Sequence, residues 1–275
     1  MTEYVPPDVT VAGPGEPEVG VVGGIHGDEP SGVRAVRRLR DADLDLQRGV
    51  AFVVANPGAV AAGRRFLDSD LNRVFPGDPG GDREQRLAAR LSRLLGPLTT
   101  LSIHGTHSCP TPFALVHRSQ PEEYELAEGL PVAHVVDHSG VNEGTVTTSG
   151  CVVEVEVGRQ GTEEAAATAE TQARAFLESV GALPGETRSE TPEYFHMTRS
   201  IPKPPHSDAT LYVENFEYVP AGTAYGSVDG RDLRSEVGFY PILMSECGYA
   251  DIFGYEGRKL GDSVADIDAS WFGSA

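Results

Sequence analysis

Three short runs limit the fold more than anything else in this chain. "EVGVVGG" (18–24), "VAFVVAN" (50–56) and "TTLSIH" (99–104) are apolar almost without a break and rich in valine. Strands that read this way are covered on both faces, as in a parallel sheet held between layers of helices. The sequence between them supplies helices. "EPSGVRAVRRLRDA" (29–42) and "DREQRLAARLSRLLG" (82–96) carry apolar residues at helical spacing, with Asp82 as an N-cap and Gly96-Pro97 as a stop. "FALVH" (113–117), "VAHVVDH" (132–138) and "CVVEVEV" (151–157) read as further strands. "TEEAAATAETQARAFLESVGAL" (162–183) reads as a third helix, its acidic first turn matched to the helix dipole and Gly181 at its end. The alternation predicts an α/β domain with a largely parallel sheet flanked by helices. Past residue 184 turn formers and prolines take over, and "TLYVENFEYV" and "GFYPILMSE" follow with no helix between them. The expected division is a first domain over residues 1–185 and a smaller β-rich domain over 186–275.

Charge excludes some partners. The 275 residues carry 41 acidic and 22 basic side chains, a formal net charge of −19, and only Lys203 and Lys259 are lysines. Such a surface repels nucleic acid and anionic membranes, so neither is an expected partner. The acidity fits either a well-solvated soluble protein or a halophilic one, in which high salt screens the self-repulsion. Three widely spaced cysteines, Cys109, Cys151 and Cys247, make no disulfide framework and suit a reducing compartment. "MTEYVPPDVT" lacks the features of a signal peptide, and no run has the length of a membrane span. The expectation is a soluble cytoplasmic protein; a homo-oligomer stays open.

"GGIHGDEPSG" (23–32) places His26 and Glu29 at the carboxyl end of the first strand, just before a helix. Ligands bind at that edge of open α/β sheets. An imidazole and a carboxylate three residues apart can share one divalent cation; on its own the pair is a weak signal and reads more readily as a turn histidine and an acidic cap. His104 ends another strand, in "TTLSIHGTHSC". Two histidines and one glutamate leave zinc an open fourth position, the arrangement of a catalytic site. His107 on the same loop is the alternative third ligand. In "CVVEVEVGRQGT" strict alternation puts Glu154 and Glu156 on one face. Glu156, at the strand end, is placed to act as general base. Glu154, one pleat deeper, reads as a paired structural acid, and at a sheet edge both would be plain surface acids. The long stretch "ANPGAVAAGRRFLDSDLNRVFPGD" (55–78) holds Arg64, Arg65, Asn72 and Arg73. Arginine forks there either bind carboxylates and oxyanions or brace the loop against Asp68 and Asp70.

Taken together, "GGIHGDEPSG", "ANPGAV" with "RRFLDSDLNRVFPGD", the strand-terminal His104 and "VEVGRQG" resemble the succinylglutamate desuccinylase/aspartoacylase family, a branch of the zinc carboxypeptidase-like hydrolases. The segment "YPILMSECGY" (240–249) is similar to the family's stretch that supplies a substrate-contacting tyrosine. The resemblance implies a mixed sheet flanked by helices, a smaller β-rich C-terminal domain and one Zn2+ per chain held by His26, Glu29 and His104. It implies Glu156 as general base, Arg65 on the oxyanion, Asn72 and Arg73 on a substrate carboxylate, and Tyr249 closing the pocket. Three positions depart from the family pattern. Ser102 stands where an acidic residue often precedes the third ligand by two, which leaves the support of His104 open. Arg159 stands where proline is frequent. "VNEGTVTTSG" lacks the arginine that aspartoacylases place there, which weighs against N-acetylaspartate. The expected activity is a zinc-dependent hydrolase acting on an N-acyl amino acid or a similar small carboxylate-bearing amide. A metallocarboxypeptidase and a non-catalytic zinc or ligand-binding protein are the alternatives.

Overall fold

A computed structural model describes residues 4–186, 191–247 and 250–272. Along the chain run β1 (Asp8–Ala12), β2 (Pro17–Gly23), α1 (Pro30–Asp41), β3 (Gly49–Val54), α2 (Pro57–Ala62) and α3 (Arg83–Leu95). Next come β4 (Thr99–Thr106), β5 (Phe113–Val116), α4 (Pro121–Glu128), β6 (His134–Asp137), β7 (Val152–Arg159) and α5 (Glu163–Ser179). The last part holds β8 (Glu193–Pro202), β9 (Ala209–Leu211), β10 (Ala224–Val228), β11 (Arg231–Arg234), β12 (Tyr240–Ile242) and β13 (Ile252–Gly261).

Ten strands form one sheet in the order β1-β3-β2-β4-β7-β5-β6-β8-β13-β12. β3-β2-β4-β7 and β5-β6-β8 are parallel runs; β7 and β5 meet antiparallel, as do the strands at both edges. The sheet is therefore mixed and largely parallel, as expected. Alternate residues explain the burial of both faces. Val50, Phe52 and Val54 pack with Val33, Val36 and Leu39 of α1 and with Phe176 of α5. Ala51 and Val53 point the other way, into the layer formed by Leu87, Leu91 and Leu95 of α3. Helix α1 comes so close to β2 that a Cβ on Gly23 would lie 2.4 Å from the Gly32 carbonyl carbon. Gly24 then turns the chain in a left-handed conformation (φ 72°), which a side chain would strain.

The hydrogen-bonded sheet continues across residue 186, because β8 pairs in parallel with β6 and β13 pairs with β8. What stands apart is the small sheet β11-β10-β9. It rests on an apolar cluster of Ile201, Val219, Tyr225, Phe239, Met244 and Phe253. In the run "TLYVENFEYV" β9 ends at Leu211 and an isolated bridge forms at Val219, with Phe216 between them in a left-handed backbone (φ 68°). Among the described residues no helix is long and apolar enough to cross a membrane.

Candidate active site

The cleft lies at the carboxyl ends of β2, β4 and β7. His26 follows the β2 turn, and Glu29 occupies the N-cap position of α1. Pro30 opens the helix, and Glu29 gives no cap hydrogen bond. Its carboxylate turns inward instead, with Oε1 2.7 Å from His26 Nδ1 and Oε2 3.2 Å from His104 Nδ1. The Gly105 amide donates to Oε2 at 3.2 Å. His26, Glu29 and His104 are all buried, and their ligand atoms lie within 4.8 Å of one another. His107 is exposed on the rim of the same cleft. The donor set has the chemistry of a metal site, two imidazoles and one carboxylate.

Each imidazole turns its second nitrogen toward a carboxylate. His26 Nε2 lies 3.2 Å from Asp70 Oδ1, and His104 Nε2 lies 3.0 Å from Glu154 Oε2. Such outer partners fix the tautomer and aim the other nitrogen. Asp70 is presented by a loop that a buried acid organises. Glu84, in the first turn of α3, accepts from the amides of Leu67, Asp68 and Ser69 and from Asn56 Nδ2. Asp82 and Gln85 form a reciprocal capping box that starts α3 and so sets Glu84 in place. The same loop carries Arg65, whose Nε donates to Asp70 Oδ2 at 3.0 Å and whose Nη1 reaches Glu29 Oε1 at 3.4 Å.

Asn72 is buried. Its Nδ2 donates to Glu154 Oε2 at 2.9 Å, and its Oδ1 accepts from the Val146 amide at 2.8 Å. Arg73 donates from Nη1 to the Asn72 carbonyl at 2.7 Å and lines the cleft. Glu154 and Glu156 project from β7, an interior strand between β4 and β5, and both are buried, so neither is a surface acid. In the β4–β7 register Glu154 is opposite Ser102 and Glu156 is opposite His104. Among the described residues Glu156 Oε2 has no hydrogen-bond partner. Arg159 is exposed and is not among the residues lining the cleft. Tyr249 lies outside the described residues.

Charges in the cleft move one another's proton affinities. Burial raises Glu156, and the neighbouring Glu29 and Glu154 raise it further, to about 7. Burial acts the same way on Glu154, but His104, His138 and the Asn72 amide outweigh it and hold Glu154 at about 2. Glu29, also opposed by burial, is held well below the carboxylate range by His26 and His104. Burial disfavours charge on both imidazoles, yet their carboxylate partners raise His26 and take His104 well above its ordinary value.

The cleft brings together His26, Glu29, Arg65, Asn72, Arg73, His104 and Glu156 from sequence positions far apart. Sequence reasoning did not anticipate Asp70 as the partner of His26, Glu84 as the anchor of the loop, or Glu154 as the partner of His104. Asp70 lies two residues before Asn72, and Glu154 shares a face with Glu156; those were the available signals.

Comparison with known proteins agrees with this picture. Residues 16–182 match the profile of the succinylglutamate desuccinylase/aspartoacylase catalytic domain. The chain is 32% identical over 231 residues to an N-alpha-acetyl-L-2,4-diaminobutyric acid deacetylase of Halomonas elongata, over 75% of this chain and 66% of that protein. It is 41% identical over 96 residues to a human N-acyl-aromatic-L-amino acid amidohydrolase (carboxylate-forming), over 30% of each. The chain thus spans about two thirds of the first relative's length and under a third of the second's. A succinylglutamate desuccinylase/aspartoacylase structure from Rhodobacter sphaeroides has the same fold. Its TM-score is 0.74 at 21% identity, over 91% of this chain and 88% of that one.

Proposed function

The chain belongs to the succinylglutamate desuccinylase/aspartoacylase family, and on that premise we propose that it is a zinc-dependent amidohydrolase. Its substrate is an N-acyl amino acid or a related amide that bears a carboxylate. One observation carries the reading. His26, Glu29 and His104 converge with ligand atoms within 4.8 Å, and Glu156, level with His104, keeps a buried oxygen that has no partner among the described residues. Zinc, when held by these three residues, supplies Lewis acidity toward water and the scissile carbonyl.

The other parts are the chain's own. Glu156 takes the proton of the attacking water and delivers it to the leaving nitrogen. Arg65, tethered to Asp70 and Glu29 beside the histidines, offers its guanidinium to the oxyanion of the tetrahedral intermediate. Arg73, with the second N–H of Asn72 Nδ2, binds the substrate carboxylate. A carboxylic acid and an amine leave.

The Halomonas relative makes N-acetyl-2,4-diaminobutyrate the first substrate to try. The test is zinc-loaded protein, at low and high salt, against N-acetyl-diaminobutyrate, N-acyl aromatic amino acids, N-succinylglutamate, N-acetylaspartate and short peptides. Release of amine from an acyl amino acid supports the proposal. Cleavage of peptides alone makes the protein a carboxypeptidase. Stoichiometric zinc with no turnover on any of them makes it a binding protein.

A further inference from the structure

His104 is held from two strands at once. Its Nδ1 faces Glu29, while its Nε2 lies 3.0 Å from both Ser102 Oγ and Glu154 Oε2. Ser102 is two residues earlier on β4, on the same face as His104. A serine hydroxyl can accept the Nε2 proton but brings no charge. The carboxylate comes instead from β7, where parallel register sets Glu154 directly beside Ser102. Adjacent strands lie about 4.8 Å apart, so one side chain on β7 reaches the same imidazole nitrogen as one on β4.

Glu154 is 2% exposed, and a carboxylate buried that deeply is costly unless its oxygens are engaged. Oε2 takes both the His104 contact and the Asn72 Nδ2–H bond. Asn72 is fixed in turn by the Val146 amide on its Oδ1 and by the bond from its own amide to Asp70 Oδ1. Asp70 is the carboxylate that touches His26 Nε2. One bonded chain, Glu154–Asn72–Asp70, therefore ties the outer nitrogens of the two histidines together.

We propose that Glu154, braced by Asn72, is the positioning residue for His104, doing from the neighbouring strand what a carboxylate at position 102 would do from the histidine's own strand. It keeps the proton on Nε2 and so leaves Nδ1, which faces Glu29, as the nitrogen available to a metal. This rests on the reading of His26, Glu29 and His104 as metal ligands.

The test is zinc affinity by competition with a chelating indicator, alongside the melting temperature of each metal-free variant. Glu154→Ala weakens zinc binding about 10–100-fold, the usual effect of losing such a partner. Glu154→Gln fills the same space and is read in its place if the alanine variant does not fold; it shows a smaller loss in the same direction. The decisive variant moves the carboxylate. Glu154→Ser combined with Ser102→Asp recovers most of the affinity that Glu154→Ser alone loses. A folded Glu154→Ala or Glu154→Gln protein that binds zinc as tightly as the wild type overturns the proposal, as does a double variant no better than Glu154→Ser. Wild-type protein that takes up no zinc overturns the metal reading itself, and this proposal with it.

Discussion

At the carboxyl ends of β2, β4 and β7, Glu29, Glu154 and Glu156 are buried against one another and against two imidazoles. Around β9, β10 and β11 the acids Asp208, Asp229, Asp232 and Glu236 are exposed, and Phe253, Tyr225 and Phe239 hold the small sheet by apolar contact. The first arrangement works against stability. Desolvating carboxylates costs several kcal/mol each unless hydrogen bonds and opposite charges offset it. The second spends nothing on charge and gains from burial of large side chains. The difference separates the part of the molecule arranged for chemistry from a part arranged for cohesion.

The sharpest way to break this contrast is to remove a ligand. His26→Ala or Glu29→Ala is expected to lose stoichiometric zinc, since two remaining ligands seldom hold it. Metal analysis finding one zinc per chain in both variants would contradict the assignment. Glu156→Gln, which keeps shape but cannot take a proton, should retain zinc and lose about 10²–10⁴-fold in turnover. Glu236→Gln, on the exposed acid beside the small sheet, should leave the rate unchanged; equal losses in the two variants would erase the distinction.

The small sheet gives the converse. Phe253→Ala removes a fully buried ring, and about 3–5 kcal/mol of stability should go with it, read by denaturant unfolding. Zinc affinity of the folded fraction should stay put. A shift in that affinity as large as a ligand variant's would show the two regions to be coupled.

Acid and base act on the first region. Glu154 is lowered to about 2, so its contribution is present above the ordinary glutamate value of about 4.3 and is lost as pH falls toward 2. His104 is raised, so its contribution is present below about 6.5 and is lost as pH rises through its folded value. Glu156, raised to about 7, loses stability in the same upward sense, from about 4.3 to 7. Metal-free protein should therefore melt highest near pH 4.5, lose stability as Glu156 ionises toward pH 7, and lose more as His104 gives up its proton above that. A melting temperature that keeps climbing to pH 9 without metal would dismiss the pairing of His104 with Glu154.

Salt is expected to have the mildest effect. With a net charge of −19, screening should raise the melting temperature between dilute buffer and molar potassium chloride. No rise would remove the reason to read the acidity as halophilic.

Much of the half that carries the cleft was legible because its signals are local. The unbroken valine runs announced doubly covered strands, and glycines after the first of them marked the turn that delivers His26 and Glu29. Alternation in "VEVEV" put Glu154 and Glu156 on one face, which β7 bears out by burying Val153 and Val155 with the helices opposite. The C-terminal third was less legible. β8 and β13 are ten residues each, yet they lie in stretches with turn formers and mixed polarity. Only their pairing with β6 and with each other makes them part of the main sheet.

Sequence alone determined which side chains stand at strand ends and which face each takes, because periods of 2.0 and 3.6 residues are properties of the local backbone. Tertiary structure decided who meets whom. Strand order and register are set by hydrogen bonds between segments distant in sequence, and no local period records them. That is why Glu154 could be assigned to a face but not to His104. It is also why Asp70 could be seen beside Asn72 but not against His26, 44 residues earlier.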